Sequence, residues 1–185
     1  HYVHHQADGT PYADPDEMAL RVVAAAEAVG IRIVLLRVAY ARAGFHVERN
    51  PRQRRFIDPT ADHALASIER LRGRGIRAGL APHSTRACPA EWLRAFADFI
   101  GPIHAHVDEQ PGEIEQSLRE HGRRPLEVFA DAGLVDSRFT AVHLTWPHDD
   151  EIALLNGATV CACPSTELDL GDGFLPIERL GEAPI

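Results

Sequence analysis

Apolar and polar positions along the chain follow two spacings, one typical of amphipathic helices and one typical of short buried strands. From Asp14, the stretch DPDEMALRVVAAAEAVG carries helix-spaced apolar residues at Met18, Val22, Ala25, Ala26 and Val29. Asp14 as N-cap, Pro15 at the first helical position and Gly30 at the C-terminal cap predict the ends of this helix. The next stretch, IRIVLLRVAY over 31–40, is largely apolar and rich in β-branched residues, which predicts a buried parallel strand.

The same unit of helix followed by strand recurs along the chain. A helix that opens at Asp58 and Pro59 leads to a strand over 75–83, and 41–58 is predicted to be one long loop. Further helices are predicted near 89–100, 111–121, 124–132 and 147–156, and further strands over 102–107, 138–145 and 158–166. This alternation predicts an α/β fold, a single domain over 1–185 with a parallel sheet and right-handed crossovers.

Composition narrows the classes of function. The chain has 185 residues, 45% of them hydrophobic, which is enough for one substantial core. Its 19 basic and 27 acidic residues give a formal net charge of -8, which argues against non-specific binding of nucleic acid. No apolar run reaches the length of about 18 residues that spans a bilayer, and no signal peptide is evident, so we expect no membrane partner and a cytoplasmic location. Cys88, Cys161 and Cys163 have neither zinc-ribbon nor disulfide-scaffold spacing.

Polar residues collect at the C-terminal ends of the predicted strands. The stretches at successive strand ends are YVHHQADG, VAYARAGF, APHSTR, HAHVDEQ, AVHLT and CPSTELDLGDG. In a (β/α) barrel these ends share one face, where loops from several strands build the active site. Each histidine alone is also typical of a packed strand end, but His83, His106 and His143 at three successive ends favour an active site.

The stretch HAHVDEQ over 104–110 suits a metal and a proton transfer. Because side chains alternate along a strand, His104 and His106 share the face toward the barrel interior while Val107 packs outward. A neutral imidazole binds Zn²⁺, and zinc lowers the pKa of a bound water to about 7. Glu109, just past the strand end, is placed to move a proton to a nitrogen leaving group. The H-x-H-x-x-E spacing alone does not identify the reaction.

Several ordered stretches together resemble one known family. They are HYVHHQADGTPYADPDEM, YARAGF, QRRFID, APHSTRA, HAHVDEQPGEIE, GRRPLEVFADAGLVD, AVHLT and CPSTELDLGDGF, and they cover nearly the whole chain. They resemble the formimidoylglutamate deiminases of the amidohydrolase superfamily. The resemblance implies a distorted (β/α)8 barrel of the TIM type that holds one zinc ion. It also implies hydrolysis of N-formimino-L-glutamate to N-formyl-L-glutamate and ammonia in histidine degradation, by a homodimer.

The resemblance assigns the chemistry to three residues. His106 corresponds to the zinc-binding histidine of the fifth strand, and Glu109, three residues later, to the glutamate that shuttles the proton. His143 corresponds to the sixth-strand histidine that polarises or orients the hydrolytic water. The implied mechanism is attack of activated water on the formimino carbon, after which ammonia leaves with a proton delivered through Glu109.

The resemblance also assigns substrate binding to Tyr2 in the opening HY motif and to His83 and Arg86 in the HSxR motif. Arg86 suits this role because a guanidinium can hold a glutamate carboxylate through two parallel hydrogen bonds. Tyr2 and His83 can add hydrogen bonds that orient the substrate.

Parts of the family pattern fall outside this sequence. If YVHH is counted as the second strand, 158–166 is the seventh, so we expect strands 2 to 7 to be present and strands 1 and 8 to be missing. The missing strands carry an H-x-H pair and an aspartate that also bind the metal. One histidine ligand is too few for firm binding, so the isolated chain is expected to be inactive, with two open sheet edges.

Three local departures from the family pattern bear on specificity. Asp108 stands where a small residue is usual and is expected to add negative charge near the zinc. Trp146 follows VHLT where a second histidine is common, and Asp169 replaces a usual asparagine before LGDG.

Two alternatives remain open. A related amidohydrolase that acts on a cyclic base or another amidine would use the same His106, Glu109 and His143; Arg86 distinguishes it, because a base-specific pocket needs no carboxylate clamp. The second alternative is a metal-free fragment or binding module, which the zinc content of the parent protein would distinguish.

Overall fold

The computed structural model describes residues 2–47, 49–155, 157–181 and 183–185. Within them, one parallel sheet runs in chain order through β1 (Leu35–Ala39), β2 (Ala78–Pro82), β3 (Ile103–Val107), β4 (Phe139–His143) and β5 (Thr159–Cys161). The helices are α1 (Glu17–Ala28), α2 (Ala61–Gly73), α3 (Ala90–Ala95), α4 (Pro111–His121), α5 (Pro125–Asp131), α6 (Asp149–Ile152) and α7 (Pro164–Leu170). Short 3-10 helices lie at Pro51–Gln53 and Ile177–Arg179. The predicted parallel α/β arrangement is confirmed.

One face of the sheet packs against the helices and forms the main core. In β3, Ile103, Ala105 and Val107 are buried on this face, which follows from the alternation of side chains along a strand. Aromatic residues fill the space between the layers, and the rings of Phe129 in α5 and Phe139 in β4 lie 5.4 Å apart. Burial of each such side chain contributes about 1.5–3 kcal/mol, so this layer holds the strand ends in place.

The other face of the sheet lines a cavity of about 280 Å³. Its walls combine aliphatic side chains with three imidazoles: Leu36, Val38, Ala81, His83, His104, Ala105, His106 and Val142. Gly79 is required on this face because a Cβ there would lie 2.7 Å from the carbonyl oxygen of Pro102. His104 and His106 both line this cavity, which confirms that they share the face opposite the helical core.

The opening residues differ from the prediction. The sequence predicts a strand in YVHH, but these residues form no strand within the described part of the chain. The backbone N–H groups of His4 and His5 instead donate to the carbonyl oxygen of Arg55, at 2.8 and 3.1 Å. His5 and Pro11 form an isolated antiparallel bridge. The described sheet therefore has five strands rather than the six expected.

Several element ends also differ from the prediction. Helix α1 starts at Glu17, because the carboxylate of Asp14 accepts the N–H of Asp16 at 3.0 Å and holds a turn before the helix. The last strand ends at Cys161, and Pro164 then begins α7. The predicted end of the helix over 147–156 falls on Asn156, which lies outside the described residues. None of the helices in the described residues is both long and apolar enough to cross a bilayer.

Candidate active site

Five of the six predicted site residues meet at the C-terminal ends of β2, β3 and β4. The ring centroids of His83 and His106 lie 4.5 Å apart, and those of His106 and His143 lie 5.4 Å apart in a stacked arrangement. Arg86 and Glu109 form an ion pair of 2.7 Å beside them. The parallel pairing of neighbouring strands brings these residues together, because it places their C-terminal ends side by side.

The backbone of His83 fixes the orientation of His106. The carbonyl oxygen of His83 accepts the backbone N–H of His106 at 2.9 Å and lies 2.8 Å from its Nδ1. Nδ1 must therefore donate, which leaves the lone pair of the neutral ring on Nε2. Burial lowers the pKa of His106 and lowers that of His83 to about 3, so both rings are neutral at neutral pH. A neutral ring with an oriented lone pair is a suitable metal ligand.

His143 reaches the site through an unusual backbone conformation. Strict alternation along β4 would place it on the helical face with Phe139 and Ala141. Its φ of 77° and the φ of 50° at Leu144 lie in the left-handed region, which costs about 1–2 kcal/mol per residue. The turn brings Nε2 of His143 to 3.4 Å from Oε1 of Glu109.

Neighbouring side chains contact both the carboxylate and the backbone of Glu109. Its carboxylate accepts from Nη2 of Arg86 at 2.7 Å, and its N–H donates to Oε2 of Glu113 at 3.0 Å. The hydroxyl of Thr145 lies 2.6 Å from the carbonyl oxygen of Glu109 and 2.8 Å from that of Asp108. These contacts fix the carboxylate between a cation and the imidazole of His143.

Two further buried glutamates lie at the site, and the sequence predicts no catalytic role for either. Glu113 lies 3.5 Å from Nε of Arg86, and burial raises its pKa. Glu167 lies 3.3 Å from Nδ1 of His143 and accepts the N–H of Cys163 at 2.9 Å. Both glutamates lie in the first turn of a helix that follows a strand, where a carboxylate can reach back to the preceding loop. This position is the sequence feature that points to them.

Asp108 corrects one expectation. The sequence predicts that it adds negative charge near the metal, but it is fully buried and has a φ of 48°. Burial, and then the neighbouring Glu151 carboxylate, raise the pKa of Asp108 well above its ordinary value, which opposes a negative charge on this residue. Arg124 forms an ion pair with Glu151.

Tyr2, the sixth predicted residue, lies with its ring 5.2 Å from that of His4. Its hydroxyl is buried without a hydrogen-bond partner among the described residues, and burial raises its pKa to about 12. The structure therefore places Tyr2 next to His4 and leaves its hydroxyl as a neutral donor.

The two other departures from the family pattern lie in different elements, Trp146 in the loop after β4 and Asp169 in α7. Nε1 of Trp146 donates to the carbonyl oxygen of Asp172, and a Cβ on Gly173 would lie 3.2 Å from the indole. Gln110 also donates to the Asp172 carboxylate at 2.7 Å. Trp146 thus ties the LGDG segment to the site, whereas Asp169 is exposed on α7.

Sequence comparison relates the chain to enzymes that act on C–N bonds. A model of the Amidohydrolase family matches residues 4–183. The formimidoylglutamate deiminase of Pseudomonas aeruginosa is 41% identical over 95% of this chain and 41% of its own length. A 5-methylthioadenosine/S-adenosylhomocysteine deaminase of Teredinibacter turnerae is 39% identical over 54% of this chain and 23% of its own length. The chain thus spans less than half the length of these relatives.

Solved structures share the same fold. An amidohydrolase from Brucella melitensis superposes with a TM-score of 0.86 and 38% identity, over 97% of this chain and 42% of its own. An adenosine deaminase from Xanthomonas campestris with bound zinc superposes with a TM-score of 0.69 and 25% identity, over 92% of this chain and 38% of its own. The sheet and helices are therefore part of a TIM-type barrel, as the sequence predicts.

Proposed function

The chain belongs to the amidohydrolase family, and on that premise we propose that the full-length protein is a zinc-dependent deiminase of N-formimino-L-glutamate. The products are N-formyl-L-glutamate and ammonia. The observation that carries the proposal is the convergence of Arg86, Glu109 and His143 beside the lone-pair nitrogen of His106. The choice of substrate is supported by the identity to a formimidoylglutamate deiminase over 95% of the chain.

The residues fit one zinc ion in part. His106 presents Nε2 from a neutral ring whose other nitrogen is already hydrogen-bonded, the usual arrangement of a histidine ligand. A bound-zinc structure among the similar adenosine deaminases supports the same metal. When bound, zinc supplies a water whose pKa is lowered to about 7. The remaining ligands are expected outside this segment.

The proton path runs through Glu109. One carboxylate oxygen faces Nε2 of His143 at 3.4 Å and the other faces Arg86 at 2.7 Å. His143 orients the attacking water, and Glu109 accepts a proton from that water and delivers it to the departing nitrogen. General acid–base catalysis by such a group contributes about 10²–10⁴-fold.

Arg86 connects substrate binding to this path. Without substrate its guanidinium is paired with Glu109 and lies near Glu113. The carboxylate of the substrate competes for the same N–H donors, so binding releases Glu109 to turn toward the reacting nitrogen. Tyr2 and His83 complete the substrate site, and the buried hydroxyl of Tyr2 is available as a donor.

Substitution of Glu109 by glutamine tests the proposal. Glu109→Gln keeps the shape of the side chain but removes the group that accepts and delivers the proton. We expect turnover, measured as ammonia released from N-formimino-L-glutamate, to fall about 10²–10⁴-fold. The zinc content, measured by atomic absorption, should stay unchanged.

Glu115→Gln is the matched control, because Glu115 lies on α4 with its side chain exposed and paired with Arg119. It should leave turnover unchanged. A Glu109→Gln protein with wild-type turnover would refute the assignment, and a parent protein that holds no zinc would favour the metal-free alternative.

A second candidate function is deamination of an adenine nucleoside, and the similarity to 5-methylthioadenosine/S-adenosylhomocysteine deaminases favours it. Arg86→Ala separates the two candidates. It should abolish activity on a substrate that carries a carboxylate near the amidine, whereas a base-specific site loses little. Ammonia release from 5-methylthioadenosine by the wild-type protein would replace the first proposal with the second.

Assembly is proposed on the sequence resemblance, and location on the sequence itself, in which no apolar run is long enough to span a bilayer. We propose a homodimer in the cytoplasm whose partner is the small-molecule substrate, with no nucleic acid and no membrane. Sedimentation equilibrium of the full-length protein tests the dimer.

A further inference from the structure

A second group of metal-binding side chains lies against the ring of His143. A ring nitrogen of His143, Sγ of Cys163 and a carboxylate oxygen of Glu167 all lie within 4.8 Å of one another. Nδ1 of His143 faces Glu167, whereas its Nε2 faces Glu109. We propose that His143, Cys163 and Glu167 form a binding site for a divalent transition metal, and that an ion bound there inhibits the enzyme.

The distances suit a four-coordinate ion. Two ligand atoms about 2.1 Å from a zinc ion at the tetrahedral angle lie about 3.4 Å apart. Nδ1 of His143 and Oε1 of Glu167 are 3.3 Å apart. Sγ of Cys163 lies 3.8 Å from the carbonyl oxygen of Cys161, a weak contact that a metal–sulfur bond can replace. Rotation of this short side chain completes three protein ligands and leaves the fourth position for water.

The chemistry of the ligands selects the class of metal. A thiolate and a carboxylate carry two negative charges and balance one divalent cation, and the imidazole adds a neutral nitrogen. Thiolate and imidazole favour Zn²⁺ and Co²⁺ over Mg²⁺ and Ca²⁺, which prefer oxygen ligands. The site therefore takes zinc or cobalt.

The surroundings make the site both rigid and accessible. Glu167 is buried, and the N–H of Cys163 donates to its Oε1 at 2.9 Å, which fixes the carboxylate. His143 is also buried and is held in place by its left-handed backbone. Cys163 is only partly buried, so an ion can reach the sulfur from solvent and then bind the two fixed ligands.

The inhibition rests on the proposed function, and it follows because the two ring nitrogens of His143 belong to two different sites. In the proposed reaction, Nε2 of His143 orients the attacking water while Nδ1 faces Glu167. An ion bound to Nδ1 occupies the lone pair of that nitrogen, so the ring proton lies on Nε2, which can then only donate and no longer accepts a hydrogen bond from the attacking water. Excess metal should therefore reduce turnover without displacing the ion at His106.

The binding test uses Co²⁺ as the probe. The full-length protein is first given one equivalent of Zn²⁺ and then titrated with Co²⁺ while its near-ultraviolet absorption is recorded. We expect a thiolate-to-cobalt charge-transfer band in the wild type. Cys163→Ser should remove the band and weaken cobalt binding more than about tenfold, since loss of even an outer-shell partner typically costs that much.

Two variants serve as controls. Cys161→Ser removes the neighbouring thiol and should keep the band, and His106→Ala, titrated without added Zn²⁺, removes the other metal ligand and should also keep it. Absence of the band in the wild type, its persistence in Cys163→Ser or its loss in His106→Ala would overturn the proposal.

Turnover gives a separate measurement. Excess Zn²⁺ should inhibit ammonia release by the wild type, and Cys163→Ser should need about tenfold more Zn²⁺ or above for the same inhibition. Equal inhibition of both proteins would overturn the inhibitory role. If the protein releases no ammonia from N-formimino-L-glutamate, the proposed function fails, but the cobalt band still decides the metal site.

Discussion

At the scale of single residues, buried histidines set the response of this protein to acid. Burial and then Arg37 lower the pKa of His4 to about 3, and Nη1 of Arg37 lies 3.3 Å from its Nε2. Burial and then His106 lower the pKa of His83 to the same value. Both side chains are neutral in the folded protein over the pH range in which an unfolded histidine, with a pKa of about 6.5, gains its proton.

The sign of the pH effect follows from proton binding. Between the unfolded and the folded pKa values, the unfolded state binds more protons, so the free energy of unfolding falls as the pH falls. His4→Gln keeps a hydrogen-bond acceptor for Arg37 but does not titrate. Below pH 6.5 the titration of this one histidine lowers the free energy of unfolding by about 1.4 kcal/mol per pH unit. Between pH 7 and pH 5 the free energy of unfolding of the wild type should therefore fall by about 2 kcal/mol more than that of His4→Gln.

Urea denaturation at both pH values measures this difference. His46→Gln is the control for loss of a histidine at the surface, because the side chain of His46 is 80% exposed. Equal losses in the wild type and His4→Gln would show that His4 is not buried in a neutral form.

At the scale of elements, a buried ionic network joins β1 to α2 and to the loop before α2. Arg37 of β1 binds both carboxylate oxygens of Asp58, at 2.6 and 3.2 Å. Its Nε donates to Ser67 of α2 at 3.2 Å, and Ser67 donates to Asp16 at 3.3 Å. Arg70 of α2 pairs with the same Asp16. The network therefore links the start of α1, the first strand and the second helix.

Removal of one partner should be far more harmful than loss of a surface pair. Arg37→Met leaves the fully buried Asp58 without its cation and should lower the free energy of unfolding by about 3–5 kcal/mol. Arg21→Met breaks the exposed pair with Glu17 and should cost about 0.3–0.5 kcal/mol. Chemical denaturation of both variants measures the change in the free energy of unfolding. Small and similar decreases in the two variants would mean that Asp58 is solvated.

At the scale of the whole molecule, the described sheet ends at two edge strands. β1 lies at one edge and β5 at the other. Within the described residues, the side of β5 that faces away from β4 makes one backbone hydrogen bond, from the N–H of Val160 to the carbonyl oxygen of Pro184 at 2.8 Å. Edge strands present unpaired N–H and C=O groups that can bind another chain. The aliphatic wall of the cavity on the inner face adds apolar surface beside these edges.

The 185-residue chain on its own should therefore associate. Sedimentation velocity at rising concentrations should show species larger than a monomer, with the full-length protein as the comparison. A chain that stays monomeric throughout would show that its edges and inner face are already protected.

The sequence by itself determined the order of the elements and predicted which polar strand ends meet at one face of the sheet. Three patterns can be identified without the tertiary fold because each lies within a short stretch of sequence: the helical spacing of apolar residues, the short apolar strands and the polar strand ends. They identified the five strands and placed His83, Arg86, His106, Glu109 and His143 together. The resemblance to a known family added the expected chemistry.

Only the tertiary structure decided the remaining features, because they depend on what surrounds each residue. The opening segment bonds to Arg55 instead of forming a strand, and the left-handed turn at His143 reverses the face that alternation predicts. Burial raises the pKa of Asp108, and contacts between distant segments pair Arg86 with Glu109 and Glu167 with His143. Such electrostatic states arise from desolvation and from neighbours that lie far apart along the chain, and no local pattern encodes them.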